Sequence, residues 1–587
     1  MNVKTSLEMS KDINKPEQLI TEHIDIWTRA ILAKSTSGRG SSKKYELYGI
    51  SKLRELILEL AVRGKLVPQD ANDEPASVLL EKIAAEKAQL IKEKKIKKTK
   101  ADSGVNEDEK LFELPSKWQW TRLNLITEIN PRNTDVDDKT KVSFVPMTLI
   151  TTSYDGVHDS ESRLWSEIKK GYTHFANGDI AIAKITPCFE NSKAAIFRNL
   201  ENGIGAGTTE LHVARPFGEQ IERNFLLLYF KSPNFLTMGQ KLMTGSAGHK
   251  RVPRSFFESN PIPLPPLAEQ KRIVDKVDEL MLLCDQLEQQ TEASIDAHAT
   301  LVEVLLATLA DSADADELAQ NWARITEHFD SLFTTIKSID LLKTTVIRLA
   351  VQGKLVSQDP NDESVSVQLE KINNRKSELV KNGEVKVRSL PKITDEEVSS
   401  DLPVGWEVIR LGNAMNVLNG RAYKKHEMLQ EGTPLLRVGN LFTSKEWYYS
   451  DLELEPDKYI NNGDLIYAWS ASFGPFIWKG DKVIYHYHIW KLDLYDNTAL
   501  SKAYLYNYLL SITEEIKASG NGIAMIHMTK GRMEELILPI PPLAEQHRIV
   551  AKVDEIMAIC DQLKERLKQS QETQVQLTDA LVDQALG

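Results

Sequence analysis

The sequence predicts an α+β protein made as a tandem repeat, with two divergent α/β domains set between near-identical helical segments. Three observations carry this. The chain repeats itself in matched order over most of its 587 residues. The repeated blocks have helical heptad spacing. The stretches between them combine a turn motif with alternating, strand-like runs.

The first repeated block is LAVRGKLVPQDANDE at 60–74, which returns as LAVQGKLVSQDPNDE at 349–363. LPSKW (Leu114–Trp118) then returns as LPVGW (Leu402–Trp406), and NGDI at Asn177 as NGDL at Asn462. PLPPLAEQKRIVDKVDELMLLCDQLE from Pro263 returns as PIPPLAEQHRIVAKVDEIMAICDQLK from Pro539, with 19 of 26 positions identical. The offset between copies falls from 289 to 276 residues, so the second divergent segment is the shorter. This divides the chain into 1–112, 113–266, 267–400, 401–542 and 543–587. Residues 1–44 carry no recognisable motif.

In the constant blocks Ile273, Val277, Leu280, Cys284 and Leu287 step by four and three, and Ile549, Val553, Ile556, Cys560 and Leu563 do the same. That seam is the pattern of a helix packed on a partner helix. Each such helix starts after a proline cluster, where a chain is not yet helical. Leu53–Val62 and Leu342–Val351 are apolar, helical, and stop at Gly64 and Gly353. They are the expected neighbours of the heptad helices. The charge-rich stretches Lys92–Lys110 and Asn373–Ser400 read as linkers or frayed helix ends.

In the divergent segments the turn at Asn177 opens an alternating run, and INNGDLIYAWS has the same form. FLLLYFKSPNF and AYLYNYLLSI read as helices. Each segment closes on a strand-like, proline-ended run, NPIPLPP or LILPIPP.

The net charge of −11 by itself opposes phosphate binding. Its distribution matters more. Residues 113–266 hold 18 basic and 16 acidic side chains and 401–542 hold 14 and 17, so the acidity sits in the helical parts and a nucleic-acid role is permitted. The N-terminus has no apolar signal region and no run of 18 apolar residues occurs, which predicts a cytoplasmic protein with no membrane partner. Cys188, Cys284 and Cys560 are far apart and show no metal spacing; on the heptad seam the last two read as small buried hydrophobes.

A Pro-Pro-Leu-Ala-Glu-Gln-x-Arg-Ile-Val run opening a long helix, twice, each time after a variable segment, resembles the specificity subunit of type I restriction-modification systems. The LAVxGKLVxQDxNDE block resembles the enteric type IB subfamily, and the resemblance covers the chain beyond about residue 45. It implies that 113–266 and 401–542 are target-recognition domains at opposite ends of two antiparallel conserved helices. Each domain would read one half of a split double-stranded DNA target. The helices would set the spacer and dock two modification subunits that methylate adenine. It also implies that this chain is non-catalytic and holds no cofactor. S-adenosylmethionine, ATP and magnesium would be used by the modification and restriction subunits.

Candidate DNA-contacting residues are polar groups at strand exits and loops. In the first domain these are Lys184, Thr186 and Asn191 after the NGD run, Thr208 and Thr209 in GIGAGTTELHV, and Ser246, His249, Lys250 and Arg251 in SAGHKRVP. Small residues beside adjacent cations suit a phosphate, and arginine takes guanine bidentately. The structural alternative is a solvated strand-end lysine and ordinary charged turns. In the second domain they are Tyr467, Trp469, Ser470 and Ser472 in YAWSASFGPF, His486 and His488 on one face of a strand, and Asn521 and Lys530 in SGNGIAMIHMTK. The aromatics serve equally as core, and the two histidines lack further ligands for zinc.

No GxxxxGK[ST] loop, no Asn/Asp-Pro-Pro-aromatic methyltransferase motif and no nucleophile–base constellation occurs. The competing reading is a coiled-coil scaffold whose two variable domains bind proteins.

Overall fold

The computed structural model describes residues 16–33, 45–97, 104–246, 248–313, 315–386, 388–398, 402–470, 472–519 and 529–587. The chain forms two compact units, Met1–Ser294 with Ser570–Gly587, and Ile295–Gln569. Each unit holds a helical frame and an α/β domain.

In the first unit the helix Tyr48–Val62 buries Leu53, Ile57, Leu60 and Ala61 against Ile273, Val277, Leu280 and Cys284 of the long helix Leu267–Ala310. Leu581 and Val582, from the last turns of the long helix Leu543–Leu586, pack on the same cluster. In the second unit Ile336–Val351 buries Ile339, Leu342 and Val346 with Ile549, Val553, Ile556 and Cys560, while Val302, Leu306 and Leu309 come from the end of Leu267–Ala310. Leu287 is buried and Leu563 half-buried in these clusters. Among the described residues Leu267–Ala310 is the one helix long and apolar enough to cross a membrane by length and composition. Its apolar side chains Val302, Leu306 and Leu309 are spent on packing.

Tyr48–Val62 stops in a left-handed turn: Gly64 has φ +70°, and Lys65 N donates to Leu60 O at 3.0 Å. A side chain at Gly64 would also sit 2.6 Å from Pro115. Gly353 has φ +68°, faces Pro403 in the same way, and Lys354 N donates to Leu349 O at 3.0 Å.

Contrary to the sequence expectation, the repeat begins upstream of this block. The helices Pro16–Glu22 and Ile24–Arg29 break at His23 (φ −118°, ψ 27°), and Ala315–Glu327 and Phe329–Leu332 break at His328 (φ −111°, ψ 20°). Both breaks end an Ile-Thr-Glu-His run, Ile20–His23 and Ile325–His328. The first copy then inserts a hairpin, Leu32–Ala33 with Tyr45–Glu46, before its frame helix.

The stretch from Asn373 is more ordered than a linker in its first part, whereas the stretch from Lys92 begins where a helix ends. Val365–Lys381 is a regular helix that buries Ile372 and so continues through Asn373, and its counterpart Ala76–Lys92 buries Leu79 and Ile83. Beyond each helix a short turn supplies a carboxylate to a buried arginine. Glu109 pairs with Arg122 at 2.8 Å and Glu397 with Arg410 at 2.7 Å. Periodicity hid these helices because few of their residues are buried, Ala76, Leu79 and Ile83 in one and Val365, Gln368 and Ile372 in the other.

The two domains share one topology despite their divergent sequences. In the first, one sheet runs Glu161–Leu164, Lys141–Val145, Ile204–Gly207, Thr173–Ala176, and the other Thr127–Ile129, Leu211–Pro216, Ile180–Ala183, Ala194–Ile196. In the second, the equivalents are Tyr448–Ser450, Thr433–Leu436, Val483–Tyr485, Tyr459–Ile460 and Met415–Asn419, Ile489–Leu494, Leu465–Ser470, Ser472–Ile477. Each first sheet contains one parallel pair, Lys141–Val145 with Ile204–Gly207 and Thr433–Leu436 with Val483–Tyr485. A two-stranded ribbon closes each domain, Gln119–Arg122 with Pro261–Leu264 and Glu407–Arg410 with Ile537–Ile540. Helices Arg223–Lys231 and Pro233–Lys241, and Lys502–Ser519, cover the sheets.

Candidate nucleic-acid interface

The repeated motifs meet at the joint between frame and domain. Gln270 is fully buried; its Oε1 accepts from Glu222 N at 2.8 Å and its Nε2 donates to Pro265 O at 2.9 Å. Gln546 makes the same pair of bonds, from Ser501 N at 2.8 Å and to Pro541 O at 2.9 Å. Each therefore ties the start of a long helix to the start of a domain helix. Arg272 holds Asp73 and Arg548 holds Asp362, at 2.6 and 2.7 Å. Burial raises the carboxyl pKa of Glu269 and Glu545. It also pushes the Cys284 thiol up to about 12 and raises that of Cys560, so neither suits a nucleophile. These repeated residues serve the joint between frame and domain.

In the first domain most of the candidate residues come together at one corner. Lys184 leaves the strand Ile180–Ala183; its N donates to Glu210 O at 2.9 Å and its O accepts from Val252 N at 2.8 Å. Thr186 N donates to Lys250 O at 3.0 Å, and Lys250 N returns a bond to Thr186 Oγ1 at 3.1 Å. Arg251 bridges to both Ile185 and Thr244. Thr208 Oγ1 accepts from Glu210 N at 3.2 Å, and Thr209, Ser246, His249 and Lys250 are exposed around it. Asn191 is exposed on the next turn, whose Ser192 carbonyl is held by buried Lys231 at 2.8 Å. Arg251 is engaged within the chain: Nε and Nη2 bind Glu210 at 2.9 and 2.8 Å. This hydrogen bonding holds the Glu210 carboxyl below the usual carboxylate range.

The second domain builds the same corner from other side chains. Trp469 stands where Lys184 stands, its N donating to His488 O at 3.1 Å, so His488 takes the place of Glu210. His486 extends the strand Val483–Tyr485 by a bridge to Arg421, while Tyr487 and His488 form the turn into Ile489–Leu494, which corrects the expected single strand. The rings nonetheless gather: His486–His488 centroids lie 4.8 Å apart, Tyr487–His488 4.0 Å and Trp469–His488 5.2 Å. Tyr487 is 40% exposed. Burial, with His488 and Arg437 nearby, pushes the His486 imidazole down to about 4, so it is neutral at ordinary pH. Tyr487 N donates to Arg421 O at 3.1 Å, which brings a further loop to the corner.

Tyr467 is a correction. It is 2% exposed and its hydroxyl meets Thr513 Oγ1 at 2.9 Å, so it belongs to the core beneath Lys502–Ser519. Ser470 is half-buried at the strand end, paired in register with Ser472. Lys530 is half-buried in the short helix Lys530–Glu535, 3.6 Å from Glu534. Asn521 lies outside the described residues. Tyr487 and Arg421 were not singled out by sequence; the available signal was their place at the ends of strands. Among the described residues no group of three or more His, Cys, Asp or Glu is arranged to hold a metal ion.

Two domains of one topology, on repeated frames and with chemically different corners, define a tandem recognition protein. The family described as "Type I restriction modification DNA specificity domain" matches residues 115–297 and 403–572. The chain is 52% identical to the type I restriction enzyme EcoAI specificity subunit of Escherichia coli, across 97% of this chain and 100% of that one. It is 48% identical to the EcoEI specificity subunit of Escherichia coli, with the same coverage. A solved HsdS subunit from Thermoanaerobacter tengcongensis aligns with a TM-score of 0.44 at 19% identity, over 81% of this chain and 98% of that one. The chain belongs to the type I restriction-modification DNA specificity family. It is a DNA specificity subunit, and that family is non-catalytic.

Proposed function

We propose that the two domains, 113–266 and 401–542, each read one half of a bipartite double-stranded DNA target. The observation that supports this is the pair of corners. One topology presents Lys184, Glu210, Lys250 and Arg251 in the first domain and Trp469, His486, Tyr487 and His488 in the second. A protein that reads two unlike half-sites needs one placement and two chemistries. The long helices fix the unspecified spacer and, with the frames, dock two modification subunits. These supply S-adenosylmethionine-dependent adenine methylation and the positive charge that this acidic chain lacks. Restriction subunits add ATP- and magnesium-dependent cleavage, and the complex works in the cytoplasm.

The test is the genome-wide adenine methylation pattern of a host carrying the modification subunit, with and without this gene, and with residues 120–260 exchanged for another such domain. One split motif is expected to vanish with the gene, and one half of it to change with the exchange. A pattern that ignores the gene would favour a scaffold instead, and a change in both halves would overturn the two-reader arrangement. Lengthening the long helices by one turn is expected to change the spacer; an unchanged spacer would overturn the ruler role.

A further inference from the structure

The Arg251–Glu210 pair has a geometry that a surface ion pair does not require. Glu210 takes the side edge of the guanidinium, Nε at 2.9 Å and Nη2 at 2.8 Å. The end edge keeps the outer Nη2 hydrogen and the Nη1 group, whose contact within the chain is to His249 O at 3.3 Å. Both partners are held from behind. Arg251 N donates to Thr244 O at 2.8 Å, and Glu210 O accepts from Lys184 N. The arginine side chain is 46% exposed and the glutamate 25%. Exposed ion pairs contribute little to stability. The fold does not depend on this one either, because the same corner in the second domain carries His488 in place of Glu210.

We propose that Arg251 is a specificity-determining residue that reads one guanine of the first domain's half-site, and that Glu210 is the residue that positions it. Two parallel N–H donors on the end edge match the O6 and N7 acceptors that guanine shows in the major groove. Glu210 fixes the plane of the fork and cancels its charge, so the arginine is not drawn to the nearest phosphate. Lys184 and Lys250, at the same corner, are the cations that meet the backbone. This rests on the reading of the domain as a DNA reader.

The experiment uses the full chain in complex with its modification subunits and a duplex carrying the methylated motif. Each guanine is replaced in turn by 7-deazaguanine, which lacks only the N7 acceptor. One substitution in one half-site is expected to weaken wild-type binding roughly 2- to 10-fold, the worth of one of the two hydrogen bonds of a bidentate base contact. That loss should disappear in Arg251→Ala and shrink in Arg251→Lys. Glu210→Gln should also shrink it, and should steepen the dependence of log K on log salt by about one unit as the freed cation turns to phosphate. Melting curves establish that the variants are folded. If Arg251→Ala and Glu210→Gln respond to every 7-deazaguanine as wild type does, the assignment is overturned while the DNA-reading domain stands. If the wild-type complex does not distinguish the motif from unrelated duplex, the underlying reading falls and the assignment with it.

Discussion

Trp406 Nε1 donates to Glu545 Oε1 at 3.1 Å inside the second unit, joining the LPxxW opening of the domain to the PPLAEQ start of the long helix. Both residues are buried, at 5% and 1% exposure. Trp406→Phe keeps much of the packing but leaves a buried carboxyl without this donor. The expected cost is about 1–3 kcal/mol, read as a lower urea midpoint with an unchanged methylation motif. An unaltered midpoint would show that the bond does not hold the joint.

The GK pairs of the repeated block cap the long helices. Lys65 Nζ donates to Leu586 O at 2.9 Å, and Lys354 Nζ to Ala310 O and Ser312 O at 3.2 and 3.0 Å. A cation at a helix C-terminus is favourable and meets carbonyls that have no partner within the helix. Lys354→Met should destabilise the second unit by about 0.5–1 kcal/mol. Hydrogen exchange should localise the change to the last turns of Leu267–Ala310. Exchange that rises uniformly would contradict a capping role.

Acid should weaken the first domain through His212. Its Nε2 donates to Val252 O at 3.2 Å, its Nδ1 is buried without a partner, and its ring stacks on Phe257 at 5.0 Å. Burial, opposed by the bond to the Val252 carbonyl and by Glu210 and helped by Lys184 and Arg254, pushes the imidazole down to about 4 from 6.5. Between those values the unfolded chain binds a proton that the folded chain refuses. Stability therefore rises with pH from about 4 to 6.5 and falls as the pH is lowered through that window. Comparing wild type with His212→Gln at pH 7.5 and 5.5 (roughly one unit either side of the free imidazole) should show the smaller loss in the variant. Equal losses would remove His212 as the cause.

Lys231 predicts a second window with the same sign. Burial lowers its ammonium to about 7 from 10.5, against a weak opposing pull from Asp155. The unfolded chain holds the proton across that range, so stability should rise with pH from about 7 to 10.5. Lys231→Met should flatten this rise in urea midpoints measured across the range. A slope equal to that of wild type would mean that the lysine is charged in the fold.

Tyr487→Ala tests the second corner. Removing an exposed ring that packs on His488 should relax base preference in one half of the methylated motif and leave the other half as it is. Loss of preference in both halves would contradict separate reading.

The frames were legible because their residues recur and carry a period. Ile273, Val277, Leu280 and Cys284 announce a buried helical face, and Gly64 and Gly353 announce its neighbour's end. The Ile-Thr-Glu-His run at 20–23 and 325–328 extended the same signal and is short enough to pass unnoticed. The helix Val365–Lys381 was hidden because burial of Val365, Gln368 and Ile372 occupies a narrow stripe among charges.

The recognition corners were legible only in part. Tyr467 and Trp469 share one face of a strand, yet Tyr467 lies under Thr513 while Trp469 reaches the half-exposed strand end. Alternation says which face a side chain takes and not how far along the strand the covering helix extends. The sequence alone determined the repeat, the heptad frames, the family and the segments that vary, since these are properties of order and period along the chain. Only tertiary structure decided that Lys184, Glu210 and Arg251 form one corner. It also decided that Trp469 and His488 occupy the same place in the second domain. Those neighbours are tens of residues apart, and strand pairing, which no local pattern encodes, is what brings them together.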